Sequence, residues 1–154
     1  MPLRETQRRA RPEVVDTSVL IPYFRSGEHS AALRPLIEGR RLFLPALVAL
    51  ELYAGTRDQQ EKRALDEFVG GFARRGRVLT ATQEDHTLAG VMLARRRRIA
   101  GELQVRDHLV DVLIVLCASQ VGGTVLTNNV RHLETWAALA RRAGRDVRAS
   151  ALDA

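Results

Sequence analysis

The sequence predicts an α/β fold, a parallel sheet of four or five short strands flanked by helices on both faces. Three observations predict it. Short apolar runs such as Val14-Val15 and Thr124-Val125-Leu126 alternate along the whole chain with longer helical patterns. Turn and capping residues, among them Gly39, Gly55 and Gly122-Gly123, separate the two kinds of segment. Strands joined through helices need crossover connections and therefore pair in parallel. The 154 residues are enough for one hydrophobic core and too few for two ordinary ones.

Taken in order, residues 1–12 are basic and lack periodicity, so a disordered or loosely docked N-terminal arm is expected there, with the folded domain over 13–150. A strand over 13–15 follows, and a helix starts at Thr17. The second helix, 30–38, opens at Ser30, expected to be its cap, and closes at Gly39. A strand over 42–44 stops at Pro45, and a helix over 47–54 ends at Gly55. The pattern over 59–74 is amphipathic, with Leu65, Phe68, Val69 and Phe72 on one face. A strand at 77–79 leads to a helix over 82–98, and 107–120 is the most apolar helix of the chain. After Gly122-Gly123 come a strand over 124–126 and a last helix over 133–143, in which Trp136 and Leu139 share the core face. Val147 marks a short final strand.

Composition narrows the function classes. Apolar residues are 45% and charged residues 27% of the chain, an ordinary globular mixture. The longest apolar run, Val112 to Ala118, is far short of the ~20 residues of a membrane span. Basic residues at the start are followed by no apolar segment, so no signal peptide is expected. Cys117 has no partner for a disulfide, which suits a reducing compartment and predicts a cytoplasmic protein without membrane contact. The formal charge is +6, and Lys62 is the one lysine among the basic residues. Arginine forks match phosphate geometry, so a nucleic-acid partner is expected. The run Arg95, Arg96, Arg97 and Arg98 suits a phosphate backbone, although cations at a helix C-terminus are also favoured by the helix dipole. His29, His86, His108 and His132 show no paired zinc spacing and are expected at the surface or in loops.

Four polar residues, Asp16, Glu51, Asp111 and Asn129, each stand beside a short apolar run. A carboxylate next to a core must be paired, hydrogen-bonded or metal-bound. Several brought together repel one another, and a hard divalent ion such as Mg²⁺ or Mn²⁺ relieves the repulsion. Parallel α/β sheets bind ligands outside the carboxyl ends of their strands, where strand order reverses. Asp16 follows the first strand, Asn129 the fourth; Glu51 and Asp111 sit on helices entered from the same side, Asp111 in a first turn. Asp107, one turn earlier, is read as the N-cap. Ser18 and Thr127 are expected to hold a site carboxylate in place through their hydroxyls.

The motifs Val14-Val15-Asp16-Thr17-Ser18, Leu44-Pro45 through Glu51-Leu52-Tyr53-Ala54-Gly55, Asp111-Val112-Leu113-Ile114 and Leu126-Thr127-Asn128-Asn129 resemble those of PIN-domain ribonucleases. Among these the chain is most similar to the VapC-type toxins of toxin–antitoxin pairs, from Val14 to about Trp136. The resemblance implies a single PIN-like domain and a metal-dependent endoribonuclease acting on RNA, with Asp16, Glu51, Asp111 and Asn129 as catalytic residues. Asp16, Glu51 and Asp111 would hold one or two Mg²⁺ or Mn²⁺ ions. Asn129 falls where many members carry a fourth aspartate, and its neutral amide would weaken a second ion. The resemblance also implies a homodimer and a cognate antitoxin that covers the site. Two other readings stand beside it. One is a catalytically weak or inactive PIN-like module that holds RNA or a peptide in the cleft. The other takes Asp16 as the nucleophile of an aspartate-dependent phosphotransferase, which usually has a second aspartate where this chain has Ser18.

Overall fold

The computed structural model describes residues 11–152. Strands β1 (Glu13–Val15), β2 (Leu42–Pro45), β3 (Val78–Leu79), β4 (Thr124–Leu126) and β5 (Arg148–Ser150) form one parallel sheet in the order β3-β2-β1-β4-β5. Helices α1 (Thr17–Ser26), α2 (Ser30–Glu38), α3 (Ala46–Ala54), α4 (Gln59–Arg74), α5 (Gln83–Ala100), α6 (Val105–Ser119) and α7 (Val130–Arg142) make the connections. From β1 the chain steps outward through β2 to β3, then returns to lay β4 on the other side of β1. Strand order therefore reverses between β1 and β4, which is where a parallel sheet opens its binding crevice. The register pairs Val14 with Val125 and Val15 with Leu126, so Asp16 and Thr127 leave the sheet side by side.

Adjacent strand residues point to opposite faces, and Val14 and Val15 are both fully buried, so the sheet is covered on both sides. In α6 every residue from Val112 to Ala118 is buried, which explains an apolar run with no polar face. Trp136 and Leu139 of α7 join the same core, as do Leu65 and Phe72 of α4. Among the described residues no helix is long and apolar enough to cross a membrane. Gly123 precedes β4 in a tight place: a Cβ there would lie 3.0 Å from Val14 Cγ2 and 3.2 Å from the Pro12 carbonyl, so a side chain would need these neighbours to shift slightly.

Several boundaries differ from expectation. The longest apolar helix starts at Val105, not at Asp107, and its N-cap, Gln104, makes no side-chain capping bond. Asp107 is an exposed acid in the first turn, where it suits the helix dipole without capping. Ser30 is the first helical residue rather than a cap; His29 holds the cap position in a left-handed conformation, φ 66°. The last helix begins at Val130, three residues early, and the fifth strand lies just after buried Val147. Of the basic arm expected over 1–12, residues 1–10 lie outside the described residues. Arg11 and Pro12 are docked: Arg11 Nη1 meets Asp146 Oδ1 at 2.7 Å and donates to the Gly122 carbonyl, while Pro12 O accepts Thr124 N.

Candidate active site

Asp16 follows β1 directly and caps α1, so its position is set by the sheet and the helix at once. Only 6% of it is exposed. Its backbone N donates to Leu126 O at 3.0 Å, tying it to β4. Oδ1 accepts from Thr17 N at 2.8 Å; Oδ2 accepts from Ser18 Oγ at 2.7 Å and from Thr127 Oγ1 at 2.8 Å. Both oxygens of a buried carboxylate are thereby satisfied and aimed.

Glu51 is half-buried in α3 and is reached from the same turn, because Thr17 Oγ1 donates to Glu51 Oε2 in a short hydrogen bond. One residue, Thr17, therefore links the first two acidic residues, its backbone N–H to Asp16 and its hydroxyl to Glu51. Asp111 stands in the second turn of α6, not in the first as expected, because the helix starts earlier. It is half-buried, and its Oδ2 lies 3.0 Å from His132 Nε2 on α7. Burial first, and the charge of Asp16 second, push the Asp111 carboxyl above its ordinary value, against the opposing pull of His132 and His108. The two carboxylates are thus within electrostatic range of each other.

Asn129 occupies the N-cap position of α7 with an exposed side chain that makes no capping bond, while its backbone N donates to Thr127 Oγ1 at 3.0 Å. Thr127 thus touches both Asp16 and the loop that carries Asn129. The neighbouring Asn128 has a role the sequence did not suggest. Its Nδ2 donates to Ser18 O at 2.8 Å and its N to Ser18 Oγ at 3.0 Å, clamping the loop after β4 onto α1.

The histidines need correction. His86 is exposed, as expected, but His108 and His132 are half-buried and in contact, Nδ1 to Nε2 at 3.4 Å, beside Asp111. They lie 24 residues apart on two helices, so no local spacing announced them. Helical periodicity did hold a signal: His108 is one turn before Asp111, and His132 one turn before Trp136.

Among the described residues no three His, Cys, Asp or Glu side chains already form a closed metal-binding group. The donors present are nonetheless hard carboxylate oxygens, and the repulsion felt by Asp111 marks a place where a divalent cation would be favoured; the residues fit Mg²⁺ or Mn²⁺ in chemistry. Glu51 also lines a groove with the apolar side chains of Ile21, Phe24 and Leu52 and the charged ones of Arg25 and Arg57. Arg95, Arg97 and Arg98 are exposed and Arg96 half-buried in the last turns of α5. Only residues 101–104 join α5 to α6, so these arginines lie at the end of α5 that adjoins the start of α6.

The PIN domain family model matches residues 14–137. Ribonuclease VapC19 of Mycobacterium tuberculosis, in strains CDC 1551 / Oshkosh and ATCC 25618 / H37Rv, is 37% identical over 123 residues, which is 78% of this chain and 90% of that protein. In fold the chain is similar to one in the DNA-bound VapBC of Salmonella typhimurium, with TM-score 0.63 and 19% identity over 93% of this chain and 99% of that one. A chain of VapBC2 from Rickettsia felis, bound to a promoter DNA fragment, gives TM-score 0.59 and 15% identity over 92% and 98%. The match spans β1 to α7 and so contains Asp16, Glu51, Asp111 and Asn129: the chain belongs to the PIN-domain family.

Proposed function

We propose that this protein is a divalent-metal-dependent endoribonuclease, the toxin of a VapBC-type toxin–antitoxin pair. The reading is supported by Asp16 at the β1–β4 switch point, by the charge it exerts on Asp111, and by Glu51, which is tied to Asp16 through Thr17. Asp16, Glu51 and Asp111 would hold Mg²⁺ or Mn²⁺. An ion held there would acidify a bound water and neutralise charge that builds on the phosphate. In the hydrolysis, water oxygen bonds to phosphorus and one ester P–O bond breaks. One water proton ends on the leaving alcohol and the other is released from the new phosphomonoester.

The chain's own residues organise this. Ser18, Thr127 and Thr17 fix the two anchored carboxylates before substrate arrives, which lowers the cost of reorganisation in the transition state. Asn129, exposed at the rim, offers an amide N–H to a phosphate oxygen or carbonyl oxygen to a water. A net charge of +6 draws RNA toward the acidic cleft. The groove beside Glu51, lined by Ile21, Phe24 and Leu52 together with Arg25 and Arg57, supports an antitoxin segment that covers the cleft. Exposed Val91, Ile99, Val105 and Leu109 on α5 and α6 support a homodimer. The deciding assay is cleavage of RNA by purified protein with Mn²⁺, with Mg²⁺, and with chelator. Binding of RNA without cleavage in any of the three would favour the non-catalytic module.

Asn129→Asp is expected to tighten Mn²⁺ binding about tenfold, since an anionic oxygen replaces an amide at the rim of an acidic site. Calorimetric titration reads it, and unchanged affinity and stoichiometry would place Asn129 away from the ion. Replacing Arg95, Arg96, Arg97 and Arg98 together with glutamine should weaken RNA binding and flatten its salt dependence, by about 0.7 in the log–log slope for each phosphate that is no longer neutralised. Cleavage at saturating RNA should persist. Equal slopes for the two proteins would return these arginines to a solvated helix end.

A further inference from the structure

The contact between α6 and α7 beside Asp111 is built differently from the rest of the acidic site. Asp16 and Glu51 are held by hydroxyls and a backbone N–H, whereas Asp111 is held by an imidazole, His132 Nε2, at 3.0 Å. His132 is itself braced. His108 Nδ1 lies 3.4 Å from the same Nε2, and the His108 ring sits 5.2 Å from the His132 ring and 5.6 Å from the Trp136 ring. Trp136 is 1% exposed and meets His132 edge-on at 6.3 Å. Its indole N–H is buried with no hydrogen-bond partner among the described residues, so the tryptophan contributes shape to this wall rather than a polar link.

The three atoms select a tautomer. If His108 Nδ1 donated to His132 Nε2, that nitrogen would turn a lone pair toward the Asp111 carboxylate, and two acceptors would face each other at 3.0 Å. A proton on His132 Nε2 instead sets an N–H beside Asp111 Oδ2 at 3.0 Å, a contact of charge rather than an aligned hydrogen bond, with a longer shared contact to His108 Nδ1. His108 then works as an acceptor that keeps the His132 ring from rotating.

We propose that His132, braced by His108 and Trp136, is the positioning residue for Asp111: it aims the carboxylate at the metal site from outside the acidic set. The inference rests on Asp111 being a metal-binding residue, as proposed above. The outer hydrogen bonds of metal-site ligands typically change affinity by 10–100-fold when removed. The half-buried imidazole meets Asp111 through Oδ2, so Oδ1 is the oxygen that would be left for a cation.

The test compares wild type with His132→Leu, His132→Gln, Asp111→Asn and the double variant His132→Leu/Asp111→Asn. Glutamine keeps an N–H near the place of Nε2, and leucine keeps volume without a donor. Mn²⁺ affinity is measured by calorimetry on the metal-free proteins, melting temperature without metal reports folding, and kcat and KM are measured on RNA. His132→Leu should weaken Mn²⁺ about tenfold and lower kcat with little change in KM, while His132→Gln restores most of the affinity. In the Asp111→Asn background the leucine change should add nothing. Wild-type Mn²⁺ affinity in His132→Leu, alongside a loss in Asp111→Asn, would overturn the inference and leave the acidic site standing. Equal losses in the leucine and glutamine variants would overturn it too, since packing alone would explain them. Wild-type affinity in Asp111→Asn would sink the site assignment itself.

Discussion

Asp16→Asn and Asp111→Asn are each expected to lower RNA cleavage by about a hundredfold or more, because each removes an anionic oxygen from the place where charge is to be balanced. The loss should not come from unfolding. Asp111 is a carboxyl whose folded value is raised, by burial first and by Asp16 second, so the folded state holds its proton more tightly than the unfolded chain does. For such a group stability is highest below the unfolded value and falls as pH rises through the folded one. At neutral pH its charge therefore works against the metal-free fold. Asp111→Asn should then melt no lower than wild type without metal and lose the gain that wild type shows on adding Mn²⁺. An amide oxygen can still face His132 Nε2, so the wall between α6 and α7 keeps its contact. Thermal melts with and without Mn²⁺, beside cleavage rates, check both halves. Full Mn²⁺-dependent cleavage by both variants would remove Asp16 and Asp111 from the mechanism.

The same acidic residues show how much of this protein the sequence made readable. Asp16 could be found because it directly follows the buried Val14-Val15 of a short strand, where a carboxylate is conspicuous, and β1, α2, α4 and β4 have the expected limits because Gly, Pro or a polar cap punctuates them. The start of α6 was unreadable for a physical reason: Gln104 makes no side-chain capping bond, so the cap-like residue nearest the apolar run was Asp107. That two-residue difference moved Asp111 from the first turn to the second. The link from Thr17 to Glu51 and the clamp of Asn128 on Ser18 join residues 34 and 110 positions apart. Such contacts follow from strand order, which a single sequence does not display. The histidine pair follows the same rule, since its two members meet only once α6 packs on α7.

A second large effect is expected far from the acidic cleft, at Asp85. This carboxylate is 1% exposed and stands in the first turn of α5, where it completes a capping box with Thr82: Asp85 N donates to Thr82 Oγ1 at 3.1 Å and Thr82 N to Asp85 Oδ2 at 2.9 Å. Gln120, just past α6, donates Nε2 to the same oxygen at 2.7 Å. Arg145, in the loop before β5, brings Nη1 to 3.0 Å from Oδ1, close enough to pair by charge but not aligned as a hydrogen bond. One buried charge thus fastens three separate segments. Burial alone would raise the Asp85 carboxyl, but the Thr82 backbone N–H, the Gln120 amide, the Thr82 hydroxyl and Arg145 together hold it below the ordinary carboxylate value. A lowered folded value contributes stability above the unfolded value of about 3.9 and loses it as pH falls through the folded one. Asp85→Ala leaves Gln120 Nε2 with the Thr80 carbonyl as its one remaining acceptor and Arg145 without its buried counter-charge. A broken buried pair costs about 3–5 kcal/mol, and partial exposure of Arg145 places this one near about 3. The melting temperature should fall by roughly 6–12 °C at neutral pH for a domain of this size. Asp85→Asn keeps an acceptor without the charge, so its urea midpoint should depend less on pH below about 4 than that of wild type. Identical pH profiles for Asp85→Asn and wild type would show that the buried charge does not hold these segments together.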